Sequence, residues 1–348
     1  MKAKKLVIFL LLAVIGCKQE TKISSNEPTT LSKNLQWEEK NGILKINSGK
    51  FEYNFKKNQV PFKKIVVLNA SLLGYIEELH AEDKIIGVSS PEYIYSEKIK
   101  NLISQGKIHD VGNEQKFDVE KIISLKPDAI FSNYVASFDN TYQLLKNNGI
   151  EVIFLDEYTE QLPLEKTAYV KLFGKFLGLE NEANASYETI AKNYQEIKLI
   201  ASQSTTKPHV LANEMYGNVW YLPGGKTSVA HFIADANADY ILKDNQYNKS
   251  VTMSFEEVFS KSSQINYWVN AGNHASKKDL LSINPFYNQL QVFKTGKIYA
   301  LTAKEKDKAN DYFCSGVVRA DLVLKDYVKI FHPELLPNYT LTYMKELQ

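Results

Sequence analysis

The stretch FDVEKIISLKPDAIF, residues 117–131, holds a whole helix–turn–strand unit. Asp118 offers a side-chain acceptor to the amides of a helix start, and Glu120 places negative charge in the first turn, where the helix dipole favours it. Ile122, Ile123 and Leu125 form the apolar stripe. Lys126-Pro127-Asp128 ends the helix, because proline pushes the residue before it out of helical backbone. Ala129-Ile130-Phe131 follows as a short apolar run, read as a buried strand. The unit returns in weaker form as FEEVFSKSSQINYWV, residues 255–269, with Glu256 in the first turn, then an apolar stripe, a polar break and a strand.

Outward from this unit the chain alternates strands and helices. Strand-like runs at Ile65–Leu68, Lys84–Val88, Ala129–Phe131 and Glu151–Leu155 are separated by helical patterns at Leu72–His80, Val119–Leu125 and Thr141–Asn147. A second series has strands near His209–Ala212, Ile265–Val269 and Ile298–Leu301, with helices near Thr227–Ala236 and Val317–Phe331. Such alternation predicts mostly parallel sheets covered by helices. Between the series, residues 179–204 contain no Gly or Pro and keep apolar residues at helical spacing, which predicts one long helix. The expected fold class is α/β: two Rossmann-like lobes, residues 62–178 and 205–348, joined by a single long interdomain helix at 179–204.

The amino terminus reads as an address. Lys2, Lys4 and Lys5 precede an apolar run from Leu6 to Ile15, and VIGC ends at Cys17. Residues 1–17 are read as a secretory signal with a lipobox, Cys17 becoming the lipidated residue. The run is too short for a bilayer span, which needs ~20 apolar residues. Residues 18–35 are polar and read as a disordered tether. Residues 36–61 form an N-terminal extension in which 42–55 alternates apolar and polar around Ser48-Gly49, the pattern of a hairpin. Charge is nearly balanced at a formal +2, and basic residues are spread out, which excludes a nucleic-acid surface. Cys314 has no disulfide partner once Cys17 is acylated and is expected to be a small buried hydrophobe.

These pieces resemble the solute-binding proteins of bacterial ABC importers that capture iron–siderophores, haem or cobalamin. The resemblance is carried by KKIVVLNAS, KIIGVSS, VGNEQKFDVEKIISLKPDAIF, the helix 179–204, MSFEEVF and GKIYAL, and it covers about residues 62–332. It implies an exported, lipid-anchored, monomeric binder with no resident cofactor and no catalytic residues, working with a permease dimer. It also implies that Glu120 and Glu256 dock to the two permease subunits from the outer tips of the lobes. Three departures bear on the ligand: His80 where a glycine often ends the first helix, Ser263-Gln264 in place of Pro-Asp, and the hairpin at 42–55.

In open α/β sheets the ligand sits beyond the carboxyl ends of the strands. That rule selects Asn69, Ser71, Tyr93, Tyr95, Asn133, Tyr134 and Tyr158 in the first lobe. In the second it selects Met215, Tyr216, Trp220, Tyr221, Lys226, Asn270 and Asn273. The set is rich in tyrosine and amide, which suits a large, flat, partly apolar ligand: a metal chelate or a corrinoid. Arg319 is the only arginine, so no cluster exists to pair with an anionic catecholate. A zinc or manganese carrier is the alternative, but it needs three or four converging His and carboxylate ligands, and the six histidines are scattered. LPGGKTS at 222–228 lacks the spacing of a phosphate loop, so no enzyme motif emerges. A surface-exposed capture lipoprotein without its own permease is the third reading.

Overall fold

The computed structural model describes residues 29–348; the leader and Cys17 lie outside the described residues. So does most of the expected tether, but its last part is ordered. Thr29–Thr30 pairs antiparallel with Leu35–Lys40, and Leu35 is fully buried. The tether expectation for residues 29–35 is therefore corrected: Leu35 and Trp37 are apolar anchors that the polar composition around them concealed. Ile43–Ser48 and Phe51–Lys56 complete a four-stranded antiparallel sheet. Its inner face, Leu35, Trp37, Leu44, Ile46, Tyr53 and Phe55, joins the core of the first lobe.

The first lobe is built on a parallel sheet with strand order Glu151–Phe154, Ala129–Ser132, Ile65–Val67, Ile85–Val88, His109–Asp110. Its central strands are buried on both faces, as crossover helices require. The second lobe orders Asp239–Tyr240, His209–Ala212, Ile265–Val269 and Lys297–Ala300 in parallel. Lys345–Glu346, next to the carboxyl terminus, closes its edge antiparallel to Lys297–Ala300. A separate antiparallel sheet of Met215–Tyr216, Val219–Pro223 and Ser250–Met253 overhangs the second lobe.

The lobes are joined by a helix over Glu180–Ala201. Ala183 and Ile190 on it belong to the core of the first lobe, whereas Tyr194, Ile197 and Ala201 belong to that of the second. Each such burial contributes up to ~1.5–3 kcal/mol for a large aliphatic side chain, so the helix is fastened at both ends. Before it runs Pro163–Leu177, packed so closely that a Cβ on Gly174 would lie 2.4 Å from that of Ala183. On the same side the lobes touch directly. Gly74 meets the Cys314 backbone, where an added Cβ would stand 2.2 Å from the carbonyl oxygen, and Thr167 Oγ1 donates to the Val318 carbonyl at 2.8 Å. The expected helix Val317–Phe331 is broken at Arg319 (φ −87°, ψ 61°) into Ser315–Val318 and Ala320–Phe331.

Candidate functional site

A cleft of about 910 Å³ lies between the lobes, lined by the loops that leave their strands. In the first lobe, Asn69 follows strand Ile65–Val67 and Leu68, and caps the helix Ala70–Glu78: its Oδ1 accepts from the Ser71 amide at 2.9 Å. Ser71 Oγ donates to Glu157 at 2.7 Å. Asn133, just past strand Ala129–Ser132, donates through Nδ2 to the other Glu157 oxygen at 2.8 Å and to the Leu155 carbonyl at 2.5 Å. Glu157 is only 2 % exposed, and burial pushes its carboxyl above the usual range against the pull of those hydrogen bonds. Lys166, at the start of Pro163–Leu177, also lines the cleft; burial lowers its amine, and Glu157 and Glu160 act in the opposite direction.

The second lobe answers with amides. Asn213 and Asn270 each follow a strand, His209–Ala212 and Ile265–Val269, and both are left-handed at φ 59° and 53°, which asparagine tolerates better than most residues. Asn270 accepts from the Tyr327 hydroxyl at 3.1 Å through Oδ1, and Asn213 donates to the Tyr221 carbonyl at 3.1 Å. Asn273 and Asn310 complete this wall. Aromatic rings stand at the mouth: Tyr93 and Tyr158 from one lobe, Tyr216, Tyr221 and Phe313 from the other, all exposed and Tyr216 as much as 84 %.

Of the fourteen positions expected at the ligand, ten line this cleft: Asn69, Ser71, Tyr93, Asn133, Tyr158, Met215, Tyr216, Tyr221, Asn270 and Asn273. Four do not. Trp220 is fully buried, donates from Nε1 to the Ala212 carbonyl at 3.2 Å, and packs on Trp268. It shares a strand with Tyr221, so the two side chains leave opposite faces. Tyr134 turns from the cleft toward Phe51 and Phe154 and donates to Asp139 at 3.0 Å. Tyr95 stands half-buried before helix Glu97–Ser104, and Lys226 lies in the turn before helix Ser228–Asp235, its amide bonded to the Tyr247 carbonyl. Sequence reasoning missed Glu157, Lys166, Asn213, Asn310, Tyr312 and Phe313. Asn213, directly after the apolar run His209–Ala212, satisfied the strand-end rule and could have been found by it.

Glu120 and Glu256 are the second residues of helices Val119–Leu125 and Phe255–Lys261. Both are exposed, and among the described residues neither side chain enters a salt bridge. Glu257 beside Glu256 is already engaged, its Oε2 accepting from the Ser254 amide at 2.7 Å in a capping box. The helix direction says on which side of the lobes these tips lie. A helix that feeds a parallel strand runs opposite to it, so its amino end lies at the carboxyl end of the sheet. Glu120 and Glu256 therefore stand on the cleft-facing side of the lobes. His274 Nε2 lies 2.5 Å from Glu214 Oε2, and among the described residues no group of three His, Cys, Asp or Glu side chains converges as a metal site.

The family model described as periplasmic binding protein matches residues 65–305. An uncharacterized lipoprotein of Methanocaldococcus jannaschii is 27% identical over 290 residues, 81% of this chain and 68% of its own. An uncharacterized ABC transporter substrate-binding lipoprotein of Bacillus subtilis is 30% identical over 139 residues, 39% of this chain and 41% of its own. Among solved structures, the periplasmic heme-binding protein HutB of Vibrio cholerae superposes with a TM-score of 0.62 at 15% identity, covering 78% of this chain and 100% of HutB.

Proposed function

Since the chain belongs to the periplasmic binding protein family, the substrate-binding arm of ABC import, we propose that it captures one large metal chelate or corrinoid between its lobes. The observation that carries this reading is the cleft itself: about 910 Å³, walled by amides and mouthed by tyrosines. That volume lies within the range of sites for drug-sized and cofactor-sized ligands, ~300–1,000 Å³, and is far larger than a bare cation needs. Flat rings gain contact area from tyrosine faces at low entropic cost, while the amides pair with polar substituents at the ligand's edge.

A zinc or manganese site is disfavoured by the same geometry, since His274 meets Glu214 and no third ligand gathers there among the described residues. Family membership and the lipoprotein relatives support an address in the cell envelope. Lipidation at Cys17, outside the described residues, would tether it there as a monomer. Glu120 and Glu256, on the cleft side of each lobe, would then dock to the two permease subunits and present the open cleft to the translocation path. Absorbance titration of the purified chain with hemin, cyanocobalamin and ferric hydroxamates tests the reading. Saturable binding of one of them at 1:1 is expected, and no binding tighter than ~10 μM, about −7 kcal/mol, overturns it.

A further inference from the structure

Two sets of contacts tie the N-terminal sheet to the cleft. The first closes on Glu160, a carboxylate that is 3 % exposed and does not line the cleft. Its Oε1 accepts from Ser32 Oγ at 2.6 Å and from the Tyr169 hydroxyl at 3.0 Å, and its Oε2 accepts from Asn34 Nδ2 at 3.2 Å. No salt bridge to Glu160 occurs among the described residues, so these neutral donors are what make its burial tolerable; an unsatisfied buried carboxylate is costly. Burial raises its carboxyl pKa, while the bonds from Ser32, Tyr169 and Asn34 act to lower it. Ser32 and Asn34 come from the sheet, 128 and 126 residues away in the chain. Glu160 follows directly on Glu157–Thr159, the turn that places Glu157 and Tyr158 in the cleft.

The second set lies at residues 50–53. The Tyr53 hydroxyl accepts from the Phe154 amide at 2.7 Å, at the end of the edge strand from which the same loop departs. Phe51 packs on Phe154 and Tyr134 with ring centroids 4.7 and 5.1 Å apart. Lys50 Nζ stands 3.8 Å over the Tyr134 ring. Tyr134 in turn donates its amide to Asp156 Oδ1 at 2.9 Å, and its neighbour Asn133 reaches Glu157. Two of the loops that carry the first lobe's polar cleft groups, those of Asn133 and of Glu157, are thus gripped by the extension.

We infer that the N-terminal sheet is a positioning element for the ligand site: Ser32, Asn34 and Tyr53 fix the loops that aim Asn133, Glu157 and Tyr158 into the cleft. The sheet makes a further charged contact with the lobe through Glu39 and Lys175, on helix Pro163–Leu177. The inference rests on the cleft being the ligand site, so its test carries one arm that needs no ligand.

Hydrogen–deuterium exchange on the full chain compares wild type with Ser32→Ala/Asn34→Ala. Residues 155–161 should exchange about tenfold faster or more, the loss of a hydrogen bond to a charged group being worth at least that factor. Helix Val119–Leu125 should not change. Ser32→Thr, which keeps the hydroxyl, should restore slow exchange in the Asn34 background. Glu52→Gln, on an exposed pair with Lys45 in the same sheet, should have no effect. In the second arm, whichever of hemin, cyanocobalamin or ferrichrome binds the wild type should bind the double variant about tenfold more weakly. Unchanged exchange at 155–161 overturns the positioning role even where a ligand binds. Failure of every ligand to bind wild type, with faster loop exchange in the variant, overturns the ligand reading and leaves the grip on the loop established.

Discussion

Glu157 sits at the floor of the cleft with water largely shut out, and its proton affinity is the residue-level signature of the site. Burial raises its pKa above the ordinary 4.5. Its contribution to stability is therefore fully present below that value and is lost as pH rises through the raised folded value. Glu157→Gln cannot ionise and escapes this loss. Thermal melts should then show the variant gaining on wild type between pH 4.5 and pH 8; a gap that stays constant across that range would mean Glu157 is not held in a desolvated state. Asp326 illustrates the opposite use of a buried carboxylate. It accepts from the amides of Thr342, Tyr343 and Met344 and from the Tyr339 hydroxyl, and so moors the carboxyl-terminal segment. Asp326→Ala strands the buried amides of Tyr343 and Met344 at ~1–3 kcal/mol each and should lower the urea midpoint strongly, whereas a shift under ~1 kcal/mol would contradict the mooring. Neither carboxylate was legible in the sequence. Asp326 lies inside an amphipathic helix, where a polar residue reads as solvated, and Glu157 follows a strand at a spacing that the eye assigns to the exposed Tyr158.

Elements were readable where periodicity was clean. The units 117–131 and 255–269 fold as helix and strand, because cap, stripe and breaker agree in each. His109–Asp110 escaped notice because a two-residue polar strand has no pattern to detect. Pro163–Leu177 escaped for the reverse reason. Thr167 to Val170, Leu172 to Gly174, Phe176 and Leu177 are buried, so the helix lacks the polar face that creates a 3.6-residue period. The bridging helix Glu180–Ala201 did announce itself, and its continuity limits closure, since sharp kinks arise at Pro, Gly pairs or bulges. Gln195 is exposed on it between Ile190 in one core and Ile197 in the other. Gln195→Pro should cost ~3 kcal/mol or more and convert the bridge to a hinge. Small-angle scattering should find a radius of gyration almost unchanged by ligand in wild type and ligand-dependent in the variant. Marked compaction of wild type would show that the bridge already bends.

At the scale of the molecule, two lobes on one stiff helix present a cleft and, on the same side, two glutamates that enter no salt bridge among the described residues. Reversing Glu120 or Glu256 to lysine should abolish uptake while leaving ligand affinity intact, because like charge against a complementary pocket costs several kcal/mol and neither residue lines the cleft. Glu257→Lys should spare uptake and cost only the capping box, ~1 kcal/mol. Normal uptake by both reversed variants would remove the docking role. The central claim, however, is that one ligand is held by both lobes at once, and neither lobe alone carries the amide set. Calorimetric titration of wild type, Asn133→Ala and Asn270→Ala with the ligand that binds wild type tests this most directly. The account predicts 1:1 stoichiometry and weaker binding in both variants, each by about tenfold, or ~1.4 kcal/mol. Binding that depends on one lobe's asparagine and ignores the other's would contradict it.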